Sequence, residues 1–287
     1  MSDPVEISEA SPGREEGPLE RLENVLRSFE SCLVAYSGGV DSVLLAYVAH
    51  RVLGERALAV IADSPSLPRR ELAEALAIGE EFGFPVRVVR TSEFDDSEYL
   101  NNPPNRCYFC KHALFTDLAR IAREEGFKTI AYGENLSDLG DFRPGAQAAA
   151  EFSVRAPLKE AGLTKDDIRS LSRELGLPTA EKPQAPCLSS RIPHGQAVTR
   201  DKLAMIEAAE AWLHDQGLRE VRVRHHEPAA GRCLARVELG PDELGRVTDE
   251  SIWPKIELKL LEIGYSEVVE DERGYRRGSL NAETDNP

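Results

Sequence analysis

A short apolar run that ends in two glycines and leads into a helical pattern constrains this fold more than any other feature. Residues 32–36 read as a strand buried on both faces, and residues 41–53 as the helix that follows it. Between them stands the string Ser37-Gly38-Gly39-Val40-Asp41-Ser42. Glycines let backbone N–H groups turn towards an anion, and the start of the next helix adds further free N–H groups. The string therefore predicts an anion-binding loop after a parallel strand.

Strand and helix patterns continue to alternate after this loop. The predicted strands are 57–62, 85–89 and 129–132, and the predicted helices are 68–82, 111–124 and 166–175. The last helix has Thr164 and Asp167 at the spacing of a capping box. Such alternation predicts an α/β fold, with a Rossmann-like parallel sheet covered by helices on both faces.

A proline-rich stretch, residues 178–193, separates this part from a different pattern. Beyond it we predict helix 199–214, strands 220–225 and 233–239, a mostly helical segment 242–261 broken at Pro254, and a strand at 266–269. The sequence therefore predicts an N-terminal tail (1–16), a loop-bearing domain (17–185), a functional loop and linker (186–198), a smaller α+β domain (199–276) and a C-terminal tail (277–287).

Charge and cysteine content restrict the class of protein. With 35 basic and 50 acidic residues the net charge is -15, which disfavours nucleic acid and anionic membranes as partners. The five cysteines are odd in number and widely spaced, unlike a secreted disulfide framework. No signal-peptide core or membrane-length apolar run is evident. We expect a soluble cytoplasmic protein.

The loop residues have the donors and the acid that a bound polyphosphate requires. Ser37 and Ser42 offer hydroxyl groups, and Asp41 can hold Mg²⁺ against the phosphates. No lysine follows the glycines, so the string is not a Walker motif. A plain glycine turn is the alternative. In its strand–loop–helix context, the string resembles the signature of the PP-loop ATP pyrophosphatases, which split ATP between its α and β phosphates.

Other polar groups follow the predicted strands at the edge where a nucleotide would lie. Asp63 and Ser64 end the second strand, and Gly133 and Asn135 follow a later one. Asp141 and Arg143 extend this second group as candidate nucleotide or substrate contacts. Solvated turns and a plain polar loop are the alternative interpretations.

The cysteines outside predicted core strands are Cys107, Cys110 and Cys187. The first two form a CxxC just before a predicted helix, which suits a redox pair, half a zinc site or chance. Together the three suit a [4Fe–4S] cluster with one iron left open. Cys187 alone suits a nucleophile whose thiolate Arg191 would favour. Cys32 and Cys233 are expected to be core residues.

Alternation in the second domain places Arg222 and Arg224 on one face of a strand, with Arg236 on a neighbouring one. A solvated face is the usual meaning of such charges. In an acidic chain, an arginine clamp for phosphate or carboxylate is the alternative. His225 and His226 are expected at the surface.

Taken together, the motifs resemble one family, the LarE-type sulfurtransferases (pyridinium-3,5-biscarboxylic acid mononucleotide sulfurtransferases). The strings that carry this resemblance span most of the chain: AYSGGVDS, ADSPSLPRRE, NRCYFCK, YGENLSD, APCLSSRIPHG and VRVRHH. The resemblance implies ATP- and Mg²⁺-dependent adenylation of a pyridinium carboxylate, followed by sulfur transfer, in making the nickel-pincer cofactor of lactate racemase-type enzymes. It also implies a homo-oligomer, with the sulfur donor left open.

The resemblance assigns roles to individual residues. Cys187 matches the cysteine at the reaction centre, and Ser190, Arg191, Arg222 and Arg224 are the implied substrate contacts. Some members have only that cysteine and sacrifice its sulfur. Cys107 and Cys110 instead match the subtype in which a [4Fe–4S] cluster delivers sulfide.

Three other functions stay open at this stage. A PP-loop tRNA thiolase also uses cysteines but would bind RNA, and an amide-forming adenylating ligase would not need Cys187. A nucleotide-binding sensor would release no pyrophosphate.

Overall fold

A four-stranded parallel sheet, in the order β3–β2–β1–β4, forms the centre of the N-terminal part of the computed structural model. The model describes residues 16–138, 144–229, 231–249 and 252–276. The strands are β1 (Cys32–Tyr36), β2 (Ala57–Asp63), β3 (Val86–Arg90) and β4 (Thr129–Tyr132). Because all four run the same way, their carboxyl ends meet at one edge of the sheet.

Helices cover both faces of this sheet, as the alternating sequence predicts. They are α1 (Pro18–Arg27), α2 (Val40–Leu53), α3 (Arg69–Glu81), α4 (Ser97–Leu100), α5 (Arg106–Glu125), α6 (Pro144–Glu151), α7 (Pro157–Glu160) and α8 (Lys165–Glu174). Val34 and Tyr36 of β1 pack into one core with α2. Leu33 and Ala35 face the other way, into a core that includes Phe115 of α5. Side chains of a strand alternate between faces, so β1 is buried on both.

A smaller mixed sheet follows in the C-terminal part. It has the order β5 (Val221–Ala229), β6 (Arg232–Leu239), β7 (Glu267–Glu270), with β5 and β6 antiparallel and β6 and β7 parallel. The accompanying helices are α9 (Arg200–Asp215), α10 (Pro241–Asp249) and α11 (Trp253–Ile263). Val223 and Val237 pack with Leu213 and Ile256 in a separate core. The predicted fold class, α/β with a smaller α+β part, is confirmed.

Local differences from the predicted elements concern positions that matter below. Helix α5 begins at Arg106, so Cys107 and Cys110 lie inside its first turns rather than before it. The predicted break near Pro254 is confirmed, because α11 starts at Trp253 with that proline in its first turn. The capping box of Thr164 and Asp167 is also confirmed.

The prediction that His225 lies at the surface is wrong. Its side chain shares the face of Val221 and Val223, and only 1% of the residue is exposed. Cys32 is buried as expected, whereas Cys233 is half-buried at the margin of the C-terminal core.

Within the described ranges, none of the helices combines the length and the apolar character needed to cross a bilayer.

Candidate functional site

The loop between β1 and α2 is closed by its own side chains. Gly38 has φ +72°, and a Cβ there would lie 2.7 Å from the Cβ of Ala75, so glycine is required on two counts. Ser42 Oγ accepts a hydrogen bond from Ser37 N at 3.1 Å and donates to Gly39 O at 3.1 Å. The loop thus leads directly into the N-terminus of α2, where an anion is favoured.

Asp41, in the first turn of α2, is the most constrained acid of the site. Asn135 Nδ2 donates to its Oδ1 at 3.1 Å, and Lys165 Nζ donates to its Oδ2 at 2.6 Å. Gly133 allows the β4 end to approach, since a Cβ there would lie 3.1 Å from both Asp41 Cβ and Ser42 N. The predicted group Gly133 and Asn135 therefore lies directly against the loop. The aspartate oxygens suit Mg²⁺ when a polyphosphate takes over Lys165.

The two predicted residues at the end of β2 have different surroundings. Asp63 is ion-paired with Arg69, which also donates to Ser64 O at 2.7 Å. Ser64 is buried and shares a hydrogen bond with Ser66 at 2.7 Å between the two hydroxyl oxygens. Ser64 borders the nucleotide cavity described below, whereas Asp63 is occupied with holding the start of α3.

The segment that carries Cys187 is tied to α4 and α5 by hydrogen bonds. Asn102 donates to the carbonyl groups of Ile192, Pro193 and Gln196 at 2.8–3.2 Å. Arg106 donates to Ser189 O at 2.9 Å. These contacts fold residues 186–198 back over the start of α5.

That fold-back brings the thiols and the loop to one cavity of about 490 Å³ at the carboxyl edge of the parallel sheet. We call it the first cavity. Among its lining residues are Ser37, Gly39, Asp41 and Ser64 on one side, and Cys107, Cys110 and Cys187 on another. Distant parts of the sequence, an anion loop and three thiols, thus border the same space.

The thiols interact electrostatically within this cavity. Burial raises the pKa of Cys110 to about 12, and a negative charge on Cys187 raises it further. For Cys107 too, burial and then the Cys187 charge raise the pKa, although the residue as a whole is exposed. In the metal-free protein Cys110 is therefore a neutral thiol, and binding iron there must release its proton.

Metal binding at this site requires some adjustment. Throughout the described residues, no group of three or more histidine, cysteine, aspartate or glutamate side chains is already arranged around a metal position. The donor set itself nevertheless fits an iron–sulfur cluster, because three thiols from two chain segments border one cavity.

Arg191 and Ser190 stabilise the turn that carries Cys187. Arg191 forms a two-point ion pair with Glu210 at 2.9 and 3.0 Å and donates to Cys187 O at 3.1 Å. Burial acts to raise the pKa of Glu210, but the Arg191 guanidinium outweighs it and holds that pKa low. Ser190 Oγ also donates to Cys187 O, at 2.7 Å. Both predicted substrate contacts hold the backbone of the catalytic turn.

The arginine face of β5 is covered rather than solvated. Arg224 donates twice to Glu238 Oε2, at 2.9 and 2.7 Å, and once to Ser190 O at 2.9 Å. Arg222 donates to Gln184 O at 2.9 Å and lies over the ring of Tyr275 at 5.1 Å. Its Nε is buried and has no hydrogen-bond partner within the described part of the chain.

A second cavity, of about 1070 Å³, lies on the other side of residues 182–186. Arg191, Arg219 and Arg222 are among its lining residues. The segment 182–186 borders both cavities and is held by Lys182, which pairs with Glu71 at 2.6 Å and Glu74 at 3.1 Å. We call this segment the shared wall.

Several residues of the site were missed by sequence reasoning. Lys165 is one, although the capping box at Thr164 places it at the start of a helix. Lys182 and Glu93 are others, and no sequence pattern marks them. Asp141 and Arg143, which we expected near the nucleotide, lie outside the described residues.

Comparisons with known proteins agree with this geometry. A family model described as NAD synthase matches residues 20–100. The chain is 40% identical to an uncharacterized protein of Synechocystis sp. over 93% of its own length and 97% of that protein. It is 34% identical to the pyridinium-3,5-bisthiocarboxylic acid mononucleotide synthase of Lactiplantibacillus plantarum, covering 89% and 91% of the two chains. One of the glutamine-hydrolyzing GMP synthase polypeptides, that of Methanopyrus kandleri, is 25% identical over 69% of this chain and 67% of its own length.

Proposed function

This chain belongs to the LarE-type sulfurtransferase family, that of the L. plantarum synthase, whose members are ATP-using enzymes with a PP-loop, and we propose that it thiolates a pyridinium carboxylate. The proposed substrate is pyridinium-3,5-biscarboxylic acid mononucleotide, and the proposed role is nickel-pincer cofactor biosynthesis. The observation that carries the proposal is that the anion loop and three thiols border one cavity.

The first proposed step is adenylation. A carboxylate oxygen of the substrate attacks the α phosphorus of ATP, and pyrophosphate leaves with the electron pair of the broken P–O bond. The loop N–H groups and the α2 dipole would stabilise that pyrophosphate, and Asp41 would hold its Mg²⁺. This step is needed because a free carboxylate is a poor electrophile, whereas its mixed anhydride with AMP has a good leaving group.

The second proposed step is sulfur transfer. Sulfur attacks the acyl carbon, a C–S bond forms, and AMP leaves as the C–O bond breaks. Cys187 is the proposed reaction-centre cysteine, because its turn is held over the same cavity.

Iron is the proposed carrier of reactive sulfide at this cavity. With Cys107, Cys110 and Cys187 as ligands, a [4Fe–4S] cluster would supply an iron without a cysteine ligand, where sulfide can bind. The two CxxC residues stand on α5, one helical turn apart, and hydrogen bonds from Asn102 and Arg106 fix the Cys187 segment opposite them.

Recognition of the anionic substrate is proposed for the arginine region. Arg222 supports this best, because it borders the second cavity and keeps one buried N–H without a described partner. Ser190, Arg191 and Arg224 remain candidate contacts. Their present hydrogen bonds support a role in positioning the Cys187 turn.

Amide formation, the reaction of ammonia with an adenylate, is the main competing function, because GMP synthases are among the relatives. The thiols around the first cavity favour sulfur, since an amide-forming site has no use for them. A tRNA thiolase would retain the thiols but needs an RNA-binding surface, which a net charge of -15 disfavours.

The deciding experiment supplies anaerobic protein with MgATP, sulfide and the pyridinium dicarboxylate mononucleotide. We expect pyrophosphate release that depends on the pyridinium compound, together with a thiocarboxylate product seen by mass spectrometry. Asp41→Asn should release none, whereas Asp166→Asn, an exposed acid in α8, should behave as the wild type. Amide formation with ammonia, or thiolation of tRNA, would overturn the proposal.

A further inference from the structure

Glu93 is a buried acid for which the fold supplies no partner. It follows β3, begins a short 3-10 turn (Glu93–Asp95), and is 1% exposed. Neither of its carboxyl oxygens has a hydrogen-bond partner among the described residues. Burying a polar group without compensation costs on the order of a few kcal/mol, and a buried carboxylate costs more. Such a side chain in a folded protein needs an explanation other than stability.

The surroundings of Glu93 connect it with the thiols. It is one of the residues that line the first cavity, together with Cys107 and Cys110. Its charge acts on Cys110, whose pKa is raised first by burial and then, among other charges, by Glu93. The two residues are therefore close enough to influence each other inside a poorly solvated space.

The donors that border the same part of the cavity are already used elsewhere. Arg106 donates to Asn102 and to Ser189 O, the latter at 2.9 Å. The Tyr99 hydroxyl shares a hydrogen bond with Ser189 at 2.8 Å. The acid thus lies beside two thiols and among committed donors, an arrangement that only an added cation would balance.

We infer that Glu93 is a fourth, exchangeable ligand for the iron–sulfur cluster held by Cys107, Cys110 and Cys187, an inference that rests on the function proposed above. Carboxylate oxygen is a weaker partner for iron than thiolate, so sulfide can displace it. In that exchange the Fe–O bond breaks, the carboxylate keeps its electron pair, and HS⁻ donates a pair to form the Fe–S bond. No oxidation state changes.

This assignment gives both states of the site a role. With the carboxylate bound, no iron of the cluster is left open to solvent or to a chelator. With sulfide bound, the sulfur atom takes the ligand position that faces the cavity shared with the nucleotide loop. Glu93 would therefore protect the site between turnovers without blocking sulfide when it arrives.

The test compares wild type, Glu93→Gln and Glu98→Gln after anaerobic reconstitution with iron and sulfide, followed by removal of unbound sulfide. Glutamine keeps the shape of glutamate but is a much poorer iron ligand. Glu98 is an exposed acid in α4, five residues away, and serves as the matched control. Iron content, Mössbauer spectra and the rate of iron loss to a chelator are measured for each protein.

We expect wild type and Glu98→Gln to show one iron with mixed sulfur and oxygen ligation, a signal that added sulfide removes. Glu93→Gln should lack that signal and lose iron to the chelator about tenfold faster or more, the effect typical of a lost partner at a metal site. Without iron, Glu93→Gln should unfold at the same temperature as wild type or higher, because a structural carboxylate with no partner has nothing to lose.

The outcomes separate this inference from the function on which it rests. If wild type binds four irons and Glu93→Gln gives the same spectrum and the same chelation rate, the ligand role is wrong and the cluster stands. If wild type itself holds no cluster, both are overturned. If iron-free Glu93→Gln is clearly less stable than wild type, Glu93 has a structural role and the inference fails.

Discussion

Lys165 Nζ lies 2.6 Å from Asp41 Oδ2, so the acid proposed to hold Mg²⁺ is paired with a lysine from the start of α8. Both side chains are partly exposed to the first cavity, where an incoming polyphosphate would compete for the lysine. The ammonium group neutralises Asp41 while no nucleotide is bound. It is then in place to contact phosphate oxygens once Mg²⁺ takes over the aspartate.

Lys165→Met should therefore impair adenylation. We expect substrate-dependent pyrophosphate release to fall by about a hundredfold, the usual effect of removing one donor to a developing charge. Lys128→Met, at the opposite edge of the sheet where β4 begins, is the exposed control. Equal rates for the two variants would remove Lys165 from the site.

Arg222→Ala should affect the pyridinium substrate more than ATP. One charge-assisted hydrogen bond is worth about 1.5–3 kcal/mol, so the KM for the pyridinium compound should rise about tenfold or more. The KM for ATP should change little. Arg219→Ala, an exposed residue that borders the same cavity, tests whether any positive charge would serve.

Arg224→Ala should reduce stability rather than only substrate binding. Glu238 is fully buried and accepts two hydrogen bonds from Arg224. Leaving that acid without its main partner should lower the free energy of unfolding by about 3 kcal/mol. Urea unfolding measures the loss, and Arg232→Ala, which breaks an exposed pair with Glu267, should cost at most about 1 kcal/mol. A change as small in Arg224→Ala would contradict the buried pairing.

Single Cys107→Ala, Cys110→Ala and Cys187→Ala variants should each lose the cluster after anaerobic reconstitution. Wild type should hold about four irons per chain, and Cys233→Ala should hold the same amount, because Cys233 lies in the C-terminal part with its Sγ 3.3 Å from Gly264 O. With external sulfide, wild type should turn over repeatedly. Stoichiometric conversion of Cys187 to dehydroalanine after one turnover would instead establish sacrifice of its sulfur.

His225 should make stability depend on pH. Burial lowers its pKa from the usual 6.5 to about 4, and the nearby Lys202 adds to the effect. Below the unfolded-state pKa the unfolded chain therefore binds a proton that the folded chain refuses. The free energy of unfolding should fall as pH drops from about 6.5 to about 4 and be constant above that window.

Replacement of His225 by phenylalanine isolates this contribution. The site is apolar enough for the change, since the imidazole packs against the ring of Tyr265 at 5.4 Å between centroids. The difference between variant and wild type in unfolding temperature should widen towards low pH. A constant difference from about pH 7 to about pH 5 would show that His225 takes up its proton in the folded state.

The nucleotide half of the site was predictable from the sequence because its parts are local. Ser37 to Ser42 form a loop closed by hydrogen bonds within the loop itself, and the neighbouring strands carry apolar runs. The rule that ligands bind at the carboxyl edge of a parallel sheet then locates Ser64 and Asn135. Lys165 was missed because its partner lies 124 positions away in sequence.

The covered face of β5 could not be predicted, because a loop rather than a helix or strand covers it. Alternation showed that Arg222 and Arg224 share a face, but not that the carbonyl groups of Gln184 and Ser190 lie on it. The position of His225, by contrast, followed from the same alternation, since it stands in phase with Val221 and Val223. Adjacent histidines suggested a polar turn, and strand periodicity was the better guide.

Helix α5 began earlier than predicted for a related reason. Arg106, Cys107 and Tyr108 gave no clear periodicity, so the CxxC was assigned to a loop. In the structure Arg106 is buried and donates to Ser189 O, a contact 83 positions away that no local pattern reveals.

The shared wall has a mechanical consequence for catalysis. Residues 182–186 border a cavity on each side, so a displacement that enlarges the first cavity narrows the second. The volumes available to the two reactants are therefore not independent, and whatever occupies one changes the affinity of the other. Thermodynamic reciprocity requires the same factor in both directions. The ion pairs of Lys182 with Glu71 and Glu74 set how strongly the wall resists that displacement.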